Sequence, residues 1–224
     1  MGILKDLTKE YFGEKVRKED EIDIFGLEVE IVSFKDNNGK YHERGYKPKD
    51  RDTLKKLLKR MIEVRGDKGD FNDIDTSDIE SMESLFFYND TFNGDISGWD
   101  VSRVKNMSEM FCNATSFNQD ISKWEFPNVT DMRFMFNNAT KFNQKIGNWE
   151  FPNVIDMKGM FWGATSFNQP IGDWKFPKVE DMTGMFYNAT SFNQDISNWK
   201  IYGVFDYGMF ENCPIKDEFK PKMK

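Results

Sequence analysis

Two cysteines and one histidine are all the thiol and imidazole that 224 residues contain. Cys112 and Cys213 lie about four repeats apart, so roughly 19 Å should separate them at the ~4.8 Å spacing of stacked strands. A disulfide needs Cα atoms within about 7 Å. Two free thiols are therefore expected. His42 stands alone in a segment with no serine or cysteine nucleophile in a recognisable setting, and it reads as a surface histidine. There is no phosphate-cradling glycine loop, no dinucleotide fingerprint and no Cys/His zinc spacing. The expectation is a chain with no catalytic, cofactor or metal residues. No apolar run approaches the roughly 18 residues that span a bilayer, so no membrane insertion is expected. The first twenty residues lack the apolar core of a secretory leader. As given, the chain reads as cytoplasmic, with a cell-surface location as the alternative if an export signal has been removed.

Positive charge is scarce where the chain is longest. Residues 67–210 carry 11 Lys/Arg against 21 Asp/Glu, while residues 1–66 carry 16 against 14. A surface this acidic repels a phosphate backbone, and nucleic acid is discounted as a partner.

What the chain has in excess is aromatic residues, 22 Phe and 6 Trp, and they are periodic. Trp99, Trp124, Trp149, Trp174 and Trp199 fall every 25 positions, each inside a motif close to Phe-Asn-Gln-Asp-Ile-Ser-x-Trp-x-Phe-x-x-Val-x-Asp-Met-x-x-Met-Phe-x-Asn-Ala-Thr. A fixed period of this length marks a solenoid. The expected fold class is an α/β repeat: a right-handed leucine-rich-repeat-like solenoid of about six coils with an N-terminal α+β cap. Three regions follow: a cap at 1–66, the repeats at 67–210, and a C-terminal cap and tail at 211–224. A weak first coil keeps Met82 and Phe86 but has Ile74 for Trp and Ile79 for Val. The last coil is one residue short before Met209 and Phe210.

Within a coil the pattern predicts a short strand near Ile121 to Phe126. A column of helix caps follows: Ser81, Asn106, Asp131, Asp156, Asp181 and Asp206. Behind each cap, spacing such as Met132, Met135, Phe136 and Ala139 predicts a two-turn helix. Buried indoles should form a single stacked spine. In the cap, Ile22 to Phe34 and Tyr41 to Arg44 read as a hairpin across Asp36-Asn37-Asn38-Gly39. Leu54, Leu57, Leu58, Met61 and Ile62 trace one helix face, started by Asp50 or Asp52 and ended by Gly66. A short helix is also considered through Leu4, Leu7, Tyr11 and Phe12. Pro214, Ile215 and Phe219 should cover the last coil.

Most repeated polar residues read as scaffolding. Asn93, Asn118, Asn143, Asn168 and Asn193 suggest an amide ladder that satisfies turn backbone. Lys145 and Pro170 interrupt the nearby Asp column, so a calcium ladder is excluded. Asn113, Asn138 and Asn188 fit the glycosylation acceptor pattern as a by-product of the repeat, their Thr bonding local backbone. The informative columns are those that vary. One runs Phe87, Cys112, Asn137, Trp162 and Tyr187, with an aromatic patch expected at Trp162 and Tyr187. The other follows the core Trp, as Asp100, Glu125, Glu150, Lys175 and Lys200, a charged stripe that changes sign. Phe87, Trp162, Tyr187, Glu125, Glu150, Lys175 and Lys200 are the candidate partner-binding residues on the extended surface typical of solenoids.

The stretch Met182-Thr183-Gly184-Met185-Phe186-Tyr187-Asn188-Ala189-Thr190-Ser191-Phe192-Asn193-Gln194-Asp195-Ile196-Ser197-Asn198-Trp199 resembles the BspA-type leucine-rich-repeat proteins, in the branch found in mycoplasma lipoproteins. The resemblance covers about residues 50–210 and includes Tyr46-Lys47-Pro48 and Asn72 to Ser77. It implies a leucine-rich-repeat-like solenoid that binds proteins or host surfaces, and it supplies no catalytic residues. The functional expectation is a monomeric, non-catalytic protein-binding module, such as an intracellular inhibitor, immunity-type or scaffold protein. A surface adhesin and an enzyme with an unrecognised site are the alternatives.

Overall fold

The computed structural model describes residue 24 and residues 26–222. The helix considered through Leu4 to Phe12, and Ile22 at the start of the expected hairpin, lie outside the described residues. Strand β1 (Val29–Lys35) pairs antiparallel with β2 (Tyr41–Pro48), and the register slips between Val32 and Phe34. Gly39, with φ at 77°, closes the turn by donating its N–H to the Asp36 carbonyl. β2 runs past Arg44 because Tyr46 has a second partner. Its N–H donates to the Asp73 carbonyl (2.8 Å) and its carbonyl accepts from Asp75 (3.0 Å), so the hairpin is fused to the first repeat.

Helix α1 (Arg51–Arg65) follows at once. Asp50 is the cap: its side chain accepts from the Thr53 N–H at 2.8 Å, and its carboxyl is held below its ordinary value chiefly by that bond. Gly66 ends the helix in a positive-φ conformation, its N–H on the Ile62 carbonyl. Leu54, Leu57, Leu58 and Met61 are buried and continue the core of the repeats.

Successive 25-residue units run parallel and are bonded in register. Single bridges join Ser81 to Asn106, Asn106 to Asp131, Asp131 to Asp156 and Asp156 to Asp181. From each unit four alternate N–H groups donate to the next: Met107 to Asp131, Glu109 to Arg133, Phe111 to Met135 and Asn113 to Asn137, all at 2.8–2.9 Å. This seam is the reason that the expected two-turn helices do not form. An N–H committed to the neighbouring unit cannot close an i to i−4 ring. The chain's own bonds there are i to i+3 turns, such as Met110 to Met107 and Ala114 to Phe111. Glu109, Asn113, Phe134 and Asn138 have φ of 53–59°, outside the helical region. The expected strand at 121–126 is likewise a turn, Trp124 N–H to Ile121 carbonyl at 3.1 Å. Among the described residues the only α-helix is α1.

The cap column therefore caps turns. Asn106, Asp131, Asp156 and Asp181 each accept through Oδ1 from the N–H two residues on, at 2.7–3.0 Å. The last unit differs from the expectation. Phe205, not Asp206, bridges to Asp181, so the missing residue falls between Trp199 and Phe205.

All five repeat tryptophans are buried, at 0–3 % exposure. They do not form the single spine. Indole stacking joins Trp149, Trp174 and Trp199 at 6.4 and 6.1 Å. The continuous columns are phenylalanine. Phe86, Phe111, Phe136, Phe161, Phe186 and Phe210 stack at 5.5–5.9 Å. Phe92 to Phe192 form a second column at 5.9–6.2 Å, and the two columns touch within each unit at 3.8–4.1 Å.

Candidate partner-binding surface

The side chains left outside the turn seam form one face of the array. At one positive-φ column, Asn113, Asn138, Gly163 and Asn188, the sequence supplies Asn or Gly, the residues that tolerate it most readily, after Tyr88 in the first unit. This explains the Asn of the Asn-Ala-Thr triplets. Their Thr hydroxyls do not bond local backbone as expected. Thr115 and Thr140 reach the preceding unit, to the carbonyls of Asp90 (3.2 Å) and Thr115 (3.3 Å).

In this face Trp162 lies on Tyr187 with ring centroids 4.1 Å apart and planes 25° from parallel. Both are half-buried. Glycine makes the arrangement possible. A Cβ at Gly184 would sit 2.9 Å from the Trp162 ring, and one at Gly159 would run into Phe134. The Trp162 ring thus lies in the space that Gly184 of the next unit leaves.

The rest of the column is not part of this pair. Phe87 is 42 % exposed three units away, edge-on to Tyr88 at 4.6 Å. Cys112 is buried; its thiol lies 3.3 Å from Asn137 Oδ1 and accepts from Asn113 Nδ2 at 3.2 Å. Burial first, and then the Glu109 charge, push the thiol up to about 11. Cys213 is raised for the same first reason, and both cysteines are free. Glu125, Glu150, Lys175 and Lys200 are exposed and form no ion pair among the described residues, whereas Asp100 is half-buried and accepts from the Ser102 N–H at 2.8 Å. Nothing in the structure joins this stripe to the aromatic pair.

The Asn column behaves as a ladder. Each Oδ1 accepts the backbone N–H of the next Asn at 2.8–3.0 Å, from Asn93 through Asn168. Gln144, Gln169 and Gln194 donate to the same Asn residues of the preceding units.

His42 is not on the surface. Its side chain is 8 % exposed, stacked on Phe34 at 5.0 Å, and its Nε2 donates to Asp36 Oδ2 at 3.0 Å. Burial alone pushes the Asp36 carboxyl up. The bonds from His42 and from the N–H groups of Lys40 and Asn38 outweigh it and bring the carboxyl below its ordinary value. Asn37 fixes this turn to the array through Gly98 (2.9 Å) and Trp99 (3.2 Å) carbonyls. A cavity of about 230 Å³ beside it is lined by Asp36, Asp75, Thr76, Ser77 and Asp100. Among the described residues no group of three His, Cys, Asp or Glu side chains is arranged to hold a metal ion.

Exposed aromatics at the end of the array escaped the sequence reading. Phe205 is 71 % exposed, Tyr207 85 % and Tyr202 59 %. The signal was the residue missing from the last unit, which moves Phe205 and Tyr207 into the outward positions of Asp181 and Thr183.

The molecule is thus a stack of bonded 25-residue units closed at one end by a hairpin and helix. The sequence matches the family described as "Mycoplasma protein of unknown function, DUF285" over residues 54–165 and again over 127–221. The chain belongs to that family. No curated protein and no solved structure matches it. None of the described helices is long and apolar enough to cross a membrane.

Proposed function

We propose that the chain is a non-catalytic protein-binding module, a monomeric solenoid of the right-handed leucine-rich-repeat-like kind that presents its turn face to another protein. The BspA-type resemblance agrees with this reading, and the family match supports its coarser part, a mycoplasma-type repeat protein. The observation that carries it is the Trp162–Tyr187 pair. Aromatic side chains are the residues that most often anchor protein interfaces. Here two lie stacked on each other, Trp162 over Gly184, held by backbone that bonds on both sides, so little ordering entropy is lost on binding. The exposed charges of Glu125, Glu150, Lys175 and Lys200 supply steering. An inhibitor, immunity-type or scaffold role in the cytoplasm follows from this reading.

The test is affinity capture from the native cell extract, with the wild-type chain and the Trp162→Ala/Tyr187→Ala variant side by side. A partner retained by the first and lost by the second supports the assignment. A variant that folds normally and keeps every partner removes it. For a captured partner, Lys175→Glu/Lys200→Glu should change the salt dependence of binding.

A further inference from the structure

The seam between units has a direction. In every unit the four alternate N–H groups point to the following unit, and the four alternate carbonyls point to the preceding one. At the last unit Met182, Gly184, Phe186 and Asn188 donate to Phe205, Tyr207, Met209 and Glu211. The next four donors in the sequence of the seam are the N–H groups of Asp206, Gly208, Phe210 and Asn212. None of them meets an acceptor among the described residues. From 206 to 212 the array therefore ends in a row of donors, preceded by the Val204 carbonyl, whose counterpart Glu180 accepts the Phe205 N–H in the seam before. Phe205 and Tyr207, the two most exposed large apolar side chains described, flank that edge.

We propose that the edge 205–212 is a docking site for a peptide segment of a partner protein, laid along it as the turn half of one more unit. Continuity fixes the chemistry, since each internal seam already joins this donor row to a carbonyl row at the same spacing. Polarity removes a two-fold pair of copies, because donors would face donors. A head-to-tail copy is barred at the other end. There Arg51 Nε donates to the Glu83 carbonyl at 2.7 Å and Lys55 Nζ to the Ser84 carbonyl at 3.2 Å, so α1 lies across the first edge. A complete extra unit does not fit either, because the C-terminal segment covers the other half of the last unit. Ile215 is buried there, and the Ile196 N–H donates to the Phe219 carbonyl at 3.0 Å. The occupant is a short segment whose carbonyls all face one way and whose apolar side chains rest on Phe205 and Tyr207. This site is separate from the Trp162–Tyr187 pair, and either can fail without the other.

The probe is a synthetic peptide of residues 205–212, whose Phe205, Tyr207, Met209 and Glu211 carbonyls take this role inside the chain and whose Phe and Tyr supply the apolar side chains. Amide hydrogen exchange of the full chain is followed with and without it. The Asp206, Gly208, Phe210 and Asn212 amides should exchange freely alone and slow by about tenfold with peptide in excess. Phe205→Asp/Tyr207→Thr restores the residues of the preceding unit, so folding should survive while peptide affinity falls about tenfold. Trp162→Ala/Tyr187→Ala should leave the protection in place. Unchanged exchange at millimolar peptide would overturn the proposal. So would protection that needs no peptide and rises with chain concentration, because that marks self-association.

Discussion

The ring of Phe136 packs against that of Phe142 at 3.9 Å, in the same unit, with planes 10° from parallel. Phe136 also stacks on Phe111 and Phe161, so it has ring neighbours on three sides. Phe210 ends the same column, half-buried, with Phe186 on one side. Phe136→Ala should cost about 3–5 kcal/mol, the usual range for a buried Phe. Phe210→Ala should cost well under half of that, as read by urea unfolding.

Trp174 Nε1 donates to the Ile146 carbonyl at 3.0 Å, while Trp124 Nε1 is buried with no partner among the described residues. Replacing Trp174 by Phe removes a bond and leaves the Ile146 carbonyl with the Trp149 N–H alone, at 3.1 Å. Trp124→Phe removes an unsatisfied donor. The first should be more costly than the second by about 1 kcal/mol in the same unfolding assay. Equal losses would mean that the indole bonds do not contribute.

The repeat, its phase and its buried columns were legible in the sequence, because stacking requires identity at the same position every 25 residues. The hairpin and α1 were legible from alternation and from Asp50 and Gly66. The local conformation was not. Met132, Met135, Phe136 and Ala139 share helical spacing, yet the same residues point inward from consecutive turns. The deciding fact, that alternate N–H groups belong to the next unit, is non-local. The missing residue before Phe205 was visible, but its position between Trp199 and Phe205 was not. Trp162 and Tyr187 could be paired from the period alone. The burial of His42 could not, because it depends on how the hairpin tip meets Gly98 and Trp99.

Asp36 gives a dependence on pH. Its carboxyl titrates lower in the folded chain than in the unfolded one. The stability it contributes is therefore complete above the unfolded value, near pH 4, and is lost as pH falls through the lower folded value. Asp36→Asn should lower stability at neutral pH and flatten the acid limb of the stability profile, measured as Tm against pH. An unchanged acid limb would remove the His42–Asp36 bond from the account.

Cys112 should be inert in the folded chain. With its thiol pushed up to about 11, the thiolate fraction at neutral pH is small. Alkylation by iodoacetamide should run at least about tenfold slower in the native chain than in urea. No disulfide to Cys213 should form under mild oxidation.

The stack itself is tested most directly by residue-resolved amide exchange along residues 106–188 of the free chain. Strong protection is expected at Met107, Glu109, Phe111 and Asn113, at Met132, Phe134, Phe136 and Asn138, and at Met157, Gly159, Phe161 and Gly163, recurring every 25 residues. Runs of consecutive protected amides behind each cap residue, as α-helices give, would contradict it.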